Sequence, residues 1–192
     1  MIIVLDTETT GIGKQDQVIQ LATIAIPDNI ALLKEQMGQK PIPFVTTNNY
    51  YNPTCFINPH AQKVHGLSKI KLCRYPSSVT CKLDSEVKMI VAHNAPFDSR
   101  MLKVTHINQI CTISLAKKIE KLQGGKIGFT NYQLHTMFTY YYPEQSERFK
   151  TVLHDALGDT TMCLMILVKL LDQFPFLSSL TEVHKYFWST DA

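Results

Sequence analysis

The chain has 192 residues, 45% of them hydrophobic and 18% charged, with nineteen Lys and Arg against sixteen Asp and Glu for a net charge of +3. That balance excludes disordered, collagenous and membrane-embedded chains and predicts one globular domain over residues 1–192, large enough to bury about 70% of the surface it exposes when unfolded. A core of that size needs no metal or disulfide staple, so a metal site here would serve chemistry rather than folding.

The first residues, Met-Ile-Ile-Val-Leu-Asp, show neither a basic segment nor a small-residue cleavage site and read as a strand, not as a signal peptide. The longest apolar run, Met162 to Val168, falls well short of the roughly 20 residues that cross a bilayer as a helix. Cys55, Cys73, Cys81, Cys111 and Cys163 form no C-x-x-C pair and no zinc spacing, and read as reduced core thiols. The expected setting is cytoplasmic, with no membrane partner.

Along the chain, residues 2–5 predict a buried strand that ends at Asp6, and Val18 to Ile26 predicts a second strand stopped by Pro27. Residues 28–43, with an apolar patch followed by Gly38, Pro41 and Pro43, read as an excursion off the sheet. A third strand is expected near Phe44 to Tyr51 and an extended piece at Thr54 to Ile57, which makes the opening an antiparallel three-strand meander. Strand-like Lys88 to Ala92, a helix over Pro96 to Leu102, a short strand at Gln109 to Thr112 and a helix over Ile113 to Leu122 follow, an alternation that argues for a mixed α/β sheet flanked by helices. The last third predicts a long helix from Ala156 to Phe174, stopped by Pro175, and a capping box at Ser179-Leu-Thr-Glu182 opening a final helix toward Trp188.

Three short segments carry the chemistry. Asp6 and Glu8 lie two apart on the first strand, so their side chains share a face about 6.6 Å apart along it. Such pairs are common and usually solvated, but the four apolar residues upstream make this strand central, and ionised groups at its end need a counter-charge that a divalent cation supplies compactly. His93-Asn94-Ala95-Pro96-Phe97-Asp98 follows the predicted fourth strand and brings a third carboxylate to the same sheet edge, although a first-turn Asp also favours a helix without any function. His154-Asp155-Ala156-Leu157-Gly158-Asp159 opens the long helix; His154 and Asp159 converge only if His154 sits on the preceding loop.

Together these segments resemble the DEDD exonucleases, the DnaQ-like or proofreading-type 3′→5′ exonucleases with a ribonuclease H-like fold. The resemblance spans nearly the whole chain, with Asp6-Thr7-Glu8-Thr9-Thr10-Gly11, His93 to Asp98 and His154-x4-Asp159 as the three motifs. The tyrosine subclass has Tyr four residues before the last Asp; here that position is Asp155, and the chain resembles the histidine subclass, DEDDh. Val64-His65-Gly66 resembles the segment that touches the terminal nucleotide. Ile110 to Ala116 and Tyr132-Gln133-Leu134 are similar to exonuclease X-type bacterial DNA exonucleases, although many members carry Asp where this chain has Cys111.

The resemblance implies a metal-dependent 3′→5′ exonuclease that releases nucleoside 5′-monophosphates with two divalent cations, Mg²⁺ or Mn²⁺. Asp6, Glu8 and Asp159 would hold the cation on the side of the attacking water, Asp6 would also reach the second cation with Asp98 in support, and His154 would be the general base, a role suited to an imidazole. Thr9, Gly11, Ile12, Val64, His65, Asn94 and Phe97 are the expected substrate contacts; Ile12 either wedges against the last base pair of a duplex or is a minor core residue. The implied partner is a nucleic acid 3′ end, DNA favoured and RNA the alternative, with a role in DNA repair and a homodimer as further expectations. A non-catalytic module that binds nucleic acid ends is the remaining reading, which the intact ligand set and His154 argue against. Lys117, Lys118, Lys121 and Lys126, with Arg100 and Lys103 elsewhere, either track phosphates or form a solvated face; His60, His106, His135 and His184 carry no motif. With four acidic residues gathered in one site, the rest of the chain is more basic than its +3 sum.

Overall fold

The computed structural model describes residues 1–188. A five-stranded sheet is built from β1 (Ile2–Thr9), β2 (Val18–Ile26), β3 (Thr46–Tyr50), β4 (Met89–Ala92) and β5 (Asn108–Cys111), in the order β3-β2-β1-β4-β5. β1, β2 and β3 pair antiparallel as the expected meander, while β4 and β5 run parallel to β1. The mixed α/β ribonuclease H-like expectation holds.

Alternation along β1 decides which helices each face receives. Ile2 and Val4 join Ile24, Ile26, Met89, Val91 and Ile110 in the larger core, against α5 (Thr112–Gln123), α6 (Leu134–Tyr141), α8 (Ala156–Leu171) and α9 (Leu180–Trp188). Ile3 and Leu5 face the smaller core, with Ala95 of α4 (Ala95–Met101) and Leu102 just after it. The apolar residues of the long C-terminal helix are nearly all buried, so α8 lies on the sheet as the central helix of its face. Among the described residues no helix is long and apolar enough to cross a membrane.

Several sequence expectations are corrected. The 28–43 excursion contains α1 (Ile30–Met37), capped by the Asn29 side chain and tied to the C-terminal segment by Asp28, which accepts from the Thr181 backbone and hydroxyl. The extended piece at 54–57 leads into α2 (Pro59–His65) and α3 (Lys69–Leu72), and α7 (Pro143–Lys150) follows α6; these short helices lack a repeated apolar face for periodicity to detect. α8 stops at Leu171, three residues before the expected end, and tight turns carry the chain to Phe174. Only half of the capping box forms: Ser179 accepts from the Glu182 backbone, whereas the Glu182 carboxylate takes the backbone and hydroxyl donors of Ser178. All five cysteines are free, but only Cys111 and Cys163 are core thiols; Cys55 and Cys81 are half-buried and Cys73 is exposed, because they lie on loops outside the sheet.

Candidate active site

β1 carries the first two carboxylates to the C-terminal edge of the sheet, where its pairing with β2 shifts register between Glu8 and Thr9 and the strand turns away. Asp6 and Glu8 continue the face of Val4, toward α8. Thr7 and Thr9 lie on the other face, where the Thr7 hydroxyl donates to Asp98 Oδ1 at 2.7 Å. Asp98 thus reaches the strand end from the α4 side and Asp159 from the α8 side. Asn94, in the left-handed conformation with φ 70°, makes the tight turn between β4 and α4.

His154 has φ 62° and sits on the loop before α8, as convergence with Asp159 requires. Gly158 is needed there, since a Cβ would collide with the Val152 carbonyl that packs on the first turn of the helix. Ligand atoms of Glu8, His154 and Asp159 lie within 4.8 Å of one another. Asp6 and Asp98 lie outside that trio but within its field. Burial raises the Asp6 carboxyl well above the usual range, and Asp98, Asp159 and Glu8 push it further. Glu8 is pushed up to about 8 by burial and then by Asp159, and burial lifts both Asp98 and Asp159 to about 7, the Thr7 hydroxyl partly offsetting the effect at Asp98.

Among the described residues no Lys or Arg pairs with these carboxylates. Asp159 Oδ1 is buried with no hydrogen-bond partner, which is costly unless another group meets it. Oxygen donors of this density suit hard divalent cations, so the residues fit the metal centre that the family resemblance implied.

Beside the carboxylates opens a cleft of about 450 Å³, lined by Thr7, Glu8, Thr9, Gly11, Ile12, Asn58, His60, Ala61, Val64, His65 and Phe97. Six of the seven expected substrate contacts are in this lining; Asn94 is not, because its role is the turn. His60, assigned no role from the sequence, lines the cleft as well, and Asn58 and Ala61 went unnoticed because this stretch carries no motif apart from Val64-His65-Gly66. Ile12 is 82% exposed, which rules out the core reading. The cleft walls are braced: Asp16 accepts from Thr10 Oγ1 and from the Gly13 backbone, both at 2.7 Å, and a Cβ on Gly11 would strike that carboxylate. Arg100 lies over the Phe97 ring and donates to the Ile12 carbonyl, joining the two apolar walls rather than tracking phosphates.

A support absent from the motifs holds the His154 loop. Asp155 Oδ1 accepts from the Leu157 and Gly158 backbones as the cap of α8, while its Oδ2 accepts from Gln20 Nε2 at 2.8 Å and from the Tyr50 hydroxyl at 3.3 Å. Gln20 is 1% exposed, and an amide in the otherwise apolar run from Val18 to Leu21 was the available signal. His93 is structural as well: Nε2–H donates to the Tyr132 carbonyl, leaving Nδ1 to accept from Thr112, and burial lowers its pKa to about 4. In the basic stretch after β5, Lys117 lies over the Tyr132 ring and Lys118 donates to the Phe187 carbonyl, so neither is a free phosphate contact.

The RNase_T exonuclease family profile matches residues 3–167. The chain belongs to this family. It is a 3′→5′ exonuclease of the DEDDh type. Among solved structures, this exonuclease is similar to exonuclease X in complex with 5′ overhanging duplex DNA, at 21% identity and TM-score 0.66, over 96% of this chain and 99% of that one. It is also similar to E. coli exonuclease I in complex with a dT13 oligonucleotide (13% identity, TM-score 0.64, 91% of this chain and 42% of that one). Cell-death related nuclease 4 matches at 16% identity and TM-score 0.57, over 90% of this chain and 64% of that one. The exonuclease thus spans the full length of exonuclease X but under half of exonuclease I. At these identities the likeness is one of fold. No curated protein sequence matches.

Proposed function

We propose that this exonuclease acts as one domain on DNA 3′ ends, single-stranded or duplex, with Asp6, Glu8, Asp98 and Asp159 holding two divalent cations, Mg²⁺ or Mn²⁺, and His154 as general base. The observation that carries the reading is the buried carboxylate set, unpaired with any Lys or Arg among the described residues and with Asp159 Oδ1 unpartnered, beside an imidazole at the mouth of a cleft. Cations bound there supply the positive charge that an anionic phosphodiester and its more anionic transition state require.

The chain's own groups do the rest. Phe97, Ile12 and Val64 hold the terminal base between apolar walls, while His65 and the Thr9–Gly11 turn border the sugar. An imidazole nitrogen of His154 takes the proton of the attacking water as its oxygen bonds to phosphorus. The bond to the 3′ oxygen of the preceding nucleotide breaks, that oxygen takes a proton from solvent, and a nucleoside 5′-monophosphate leaves.

DNA is favoured by the full-length likeness to exonuclease X, which is solved with a DNA duplex. The test is product analysis on 3′- and 5′-labelled single-stranded DNA, duplex DNA and RNA with and without EDTA. Expected are 5′-mononucleotides from DNA 3′ ends, lost in EDTA. Faster cleavage of RNA would overturn the substrate, and activity that survives EDTA would overturn the mechanism.

A further inference from the structure

The wall that α2 gives to the cleft continues into a surface of unusual charge. From Gln36 to Leu83 the chain contains no Asp or Glu, yet it carries Lys40, Lys63, Lys69, Lys71, Arg74 and Lys82. Lys63, Lys69, Lys71 and Arg74 are exposed, and none forms an ion pair among the described residues; Lys71 donates to the Gly66 carbonyl. Several cations elsewhere are engaged: Lys34 with Asp172, Lys150 with Glu147, Lys169 over the Tyr142 ring, and Lys117, Lys118 and Arg100 as described.

The fold sets this segment beside the chemistry. α2 lines the cleft with Ala61, Val64 and His65, and Gly66 turns the chain at φ 69° into α3. Leu72 anchors α3 against Ile19 and Ile57. Tyr75 then packs on Tyr50 with ring centroids 5.2 Å apart, and the Tyr50 hydroxyl reaches Asp155, next to His154. The acid-free segment therefore runs from the cleft to the His154 side of the site. Ile70 is 86% exposed on α3 and Phe56 78% exposed just before α2, which places apolar surface among the cations. Unpaired cations interleaved with apolar and aromatic side chains suit a single strand, whose phosphates and base faces they meet without regard to sequence.

Resting on the exonuclease reading, we propose that α2, α3 and the segment to Tyr75 form the track for the strand being degraded, with Lys63, Lys69 and Arg74 holding phosphates 5′ of the terminal nucleotide. The assignment to the scissile strand follows from continuity, since the helix that lines the cleft is the one that leads into the basic surface.

The test compares kcat/KM for a dinucleotide, an oligothymidylate of about 15 nucleotides and the same strand in a duplex, for wild type and for K63Q/K69Q/R74Q, which spares Lys71 and its bond to Gly66. The expected loss is about tenfold or more on the long single strand and under twofold on the dinucleotide. The slope of log affinity against log salt should also fall by about 2, the scale for three contacts on a single strand. The control K121Q/K126Q should leave both unchanged. An equal loss at all lengths, no loss on the long strand, or a loss confined to the duplex would overturn the track, the last by assigning the surface to the complementary strand. Fluorescence anisotropy on the long strand in EDTA separates the two readings: salt-dependent binding that the triple variant weakens, in a protein that never hydrolyses, supports the track while the exonuclease mechanism fails.

Discussion

The floor and the rim of the cleft are built in opposite ways. The floor gathers Asp6, Glu8, Asp98 and Asp159 from a central strand and two helices, each buried or nearly so, and braces them through Thr7 and the Gln20–Asp155–Tyr50 contacts. The rim, from α2 to Tyr75, consists of short exposed helices whose cations form no ion pair among the described residues. On the proposed reading, groups that would hold metal charge at fixed positions sit where packing holds them, and groups that would follow a variable strand sit where side chains can adjust. Substitutions on the floor should therefore affect turnover on every substrate, and those on the rim should depend on what is bound.

The largest expected effect is from Asp6→Asn and Asp159→Asn, which keep the shape and remove the charge. Each should lower kcat by about 10³-fold on single-stranded and duplex DNA alike, the upper end of the scale for losing a transition-state electrostatic group. His154→Ala follows, with a loss of about 10²–10⁴-fold, typical of a general base. Circular dichroism should show both classes folded; near-wild-type rates in any of the three would break the assignment of the floor.

Gln20→Met and Asp155→Ala come next. Neither side chain touches the substrate, so we expect about 10–100-fold in kcat with KM nearly unchanged, and Asp155→Ala should cost a further ~1 kcal/mol of stability as a lost helix cap. Recovery in Gln20→Glu is not expected, because a second carboxylate would face Asp155. A rise in KM alone would move these residues from the floor to the rim.

Protonation gives a smaller but signed effect. In metal-free protein Glu8, Asp98 and Asp159 have raised pKa values in the folded state, so the folded protein binds more protons than the unfolded one. Their contribution to stability is complete below the ordinary carboxylate pKa of about 4 and is lost as pH rises to about 8. The melting temperature in EDTA should therefore decline from about pH 5 to about pH 8, less steeply in Asp159→Asn, and excess Mg²⁺ should reverse most of the decline. An identical pH dependence in wild type and variant would contradict the shared burial of charge. Smallest is Ile12→Ala: a few-fold loss on blunt duplex ends with single strands spared would make this exposed side chain a wedge, and an equal loss on both would make it a general cleft wall.

The parts legible in the sequence were those with local rules. An apolar run ending in Asp6, the turn at Asn94 and the spacing of His154 and Asp159 each depend on a few adjacent residues, and from them came the sheet edge and the need for His154 to precede its helix, while the grouping of Asp6, Glu8, Asp98 and Asp159 with His154 came from the family resemblance. Gln20 was not legible, because its partner Asp155 is brought to it only by the packing of α8 on β2. The same holds for Thr7 and Asp98, from opposite ends of a parallel crossover, and for the basic rim. There the telling signal was the absence of acidic residues across 36–83, whereas attention to lysine clusters led to Lys117 and Lys118, which the fold uses to hold Tyr132 and α9.

The most direct test of the floor is a calorimetric titration of the metal-free protein with Mg²⁺ near pH 7 in two buffers of different protonation enthalpy. Carboxylates lifted to about 7 and 8 must give up protons as cations enter. The expected result is saturable binding with net proton release, reduced in Asp159→Asn; binding without proton release, or no binding, would contradict a metal centre built on these four carboxylates.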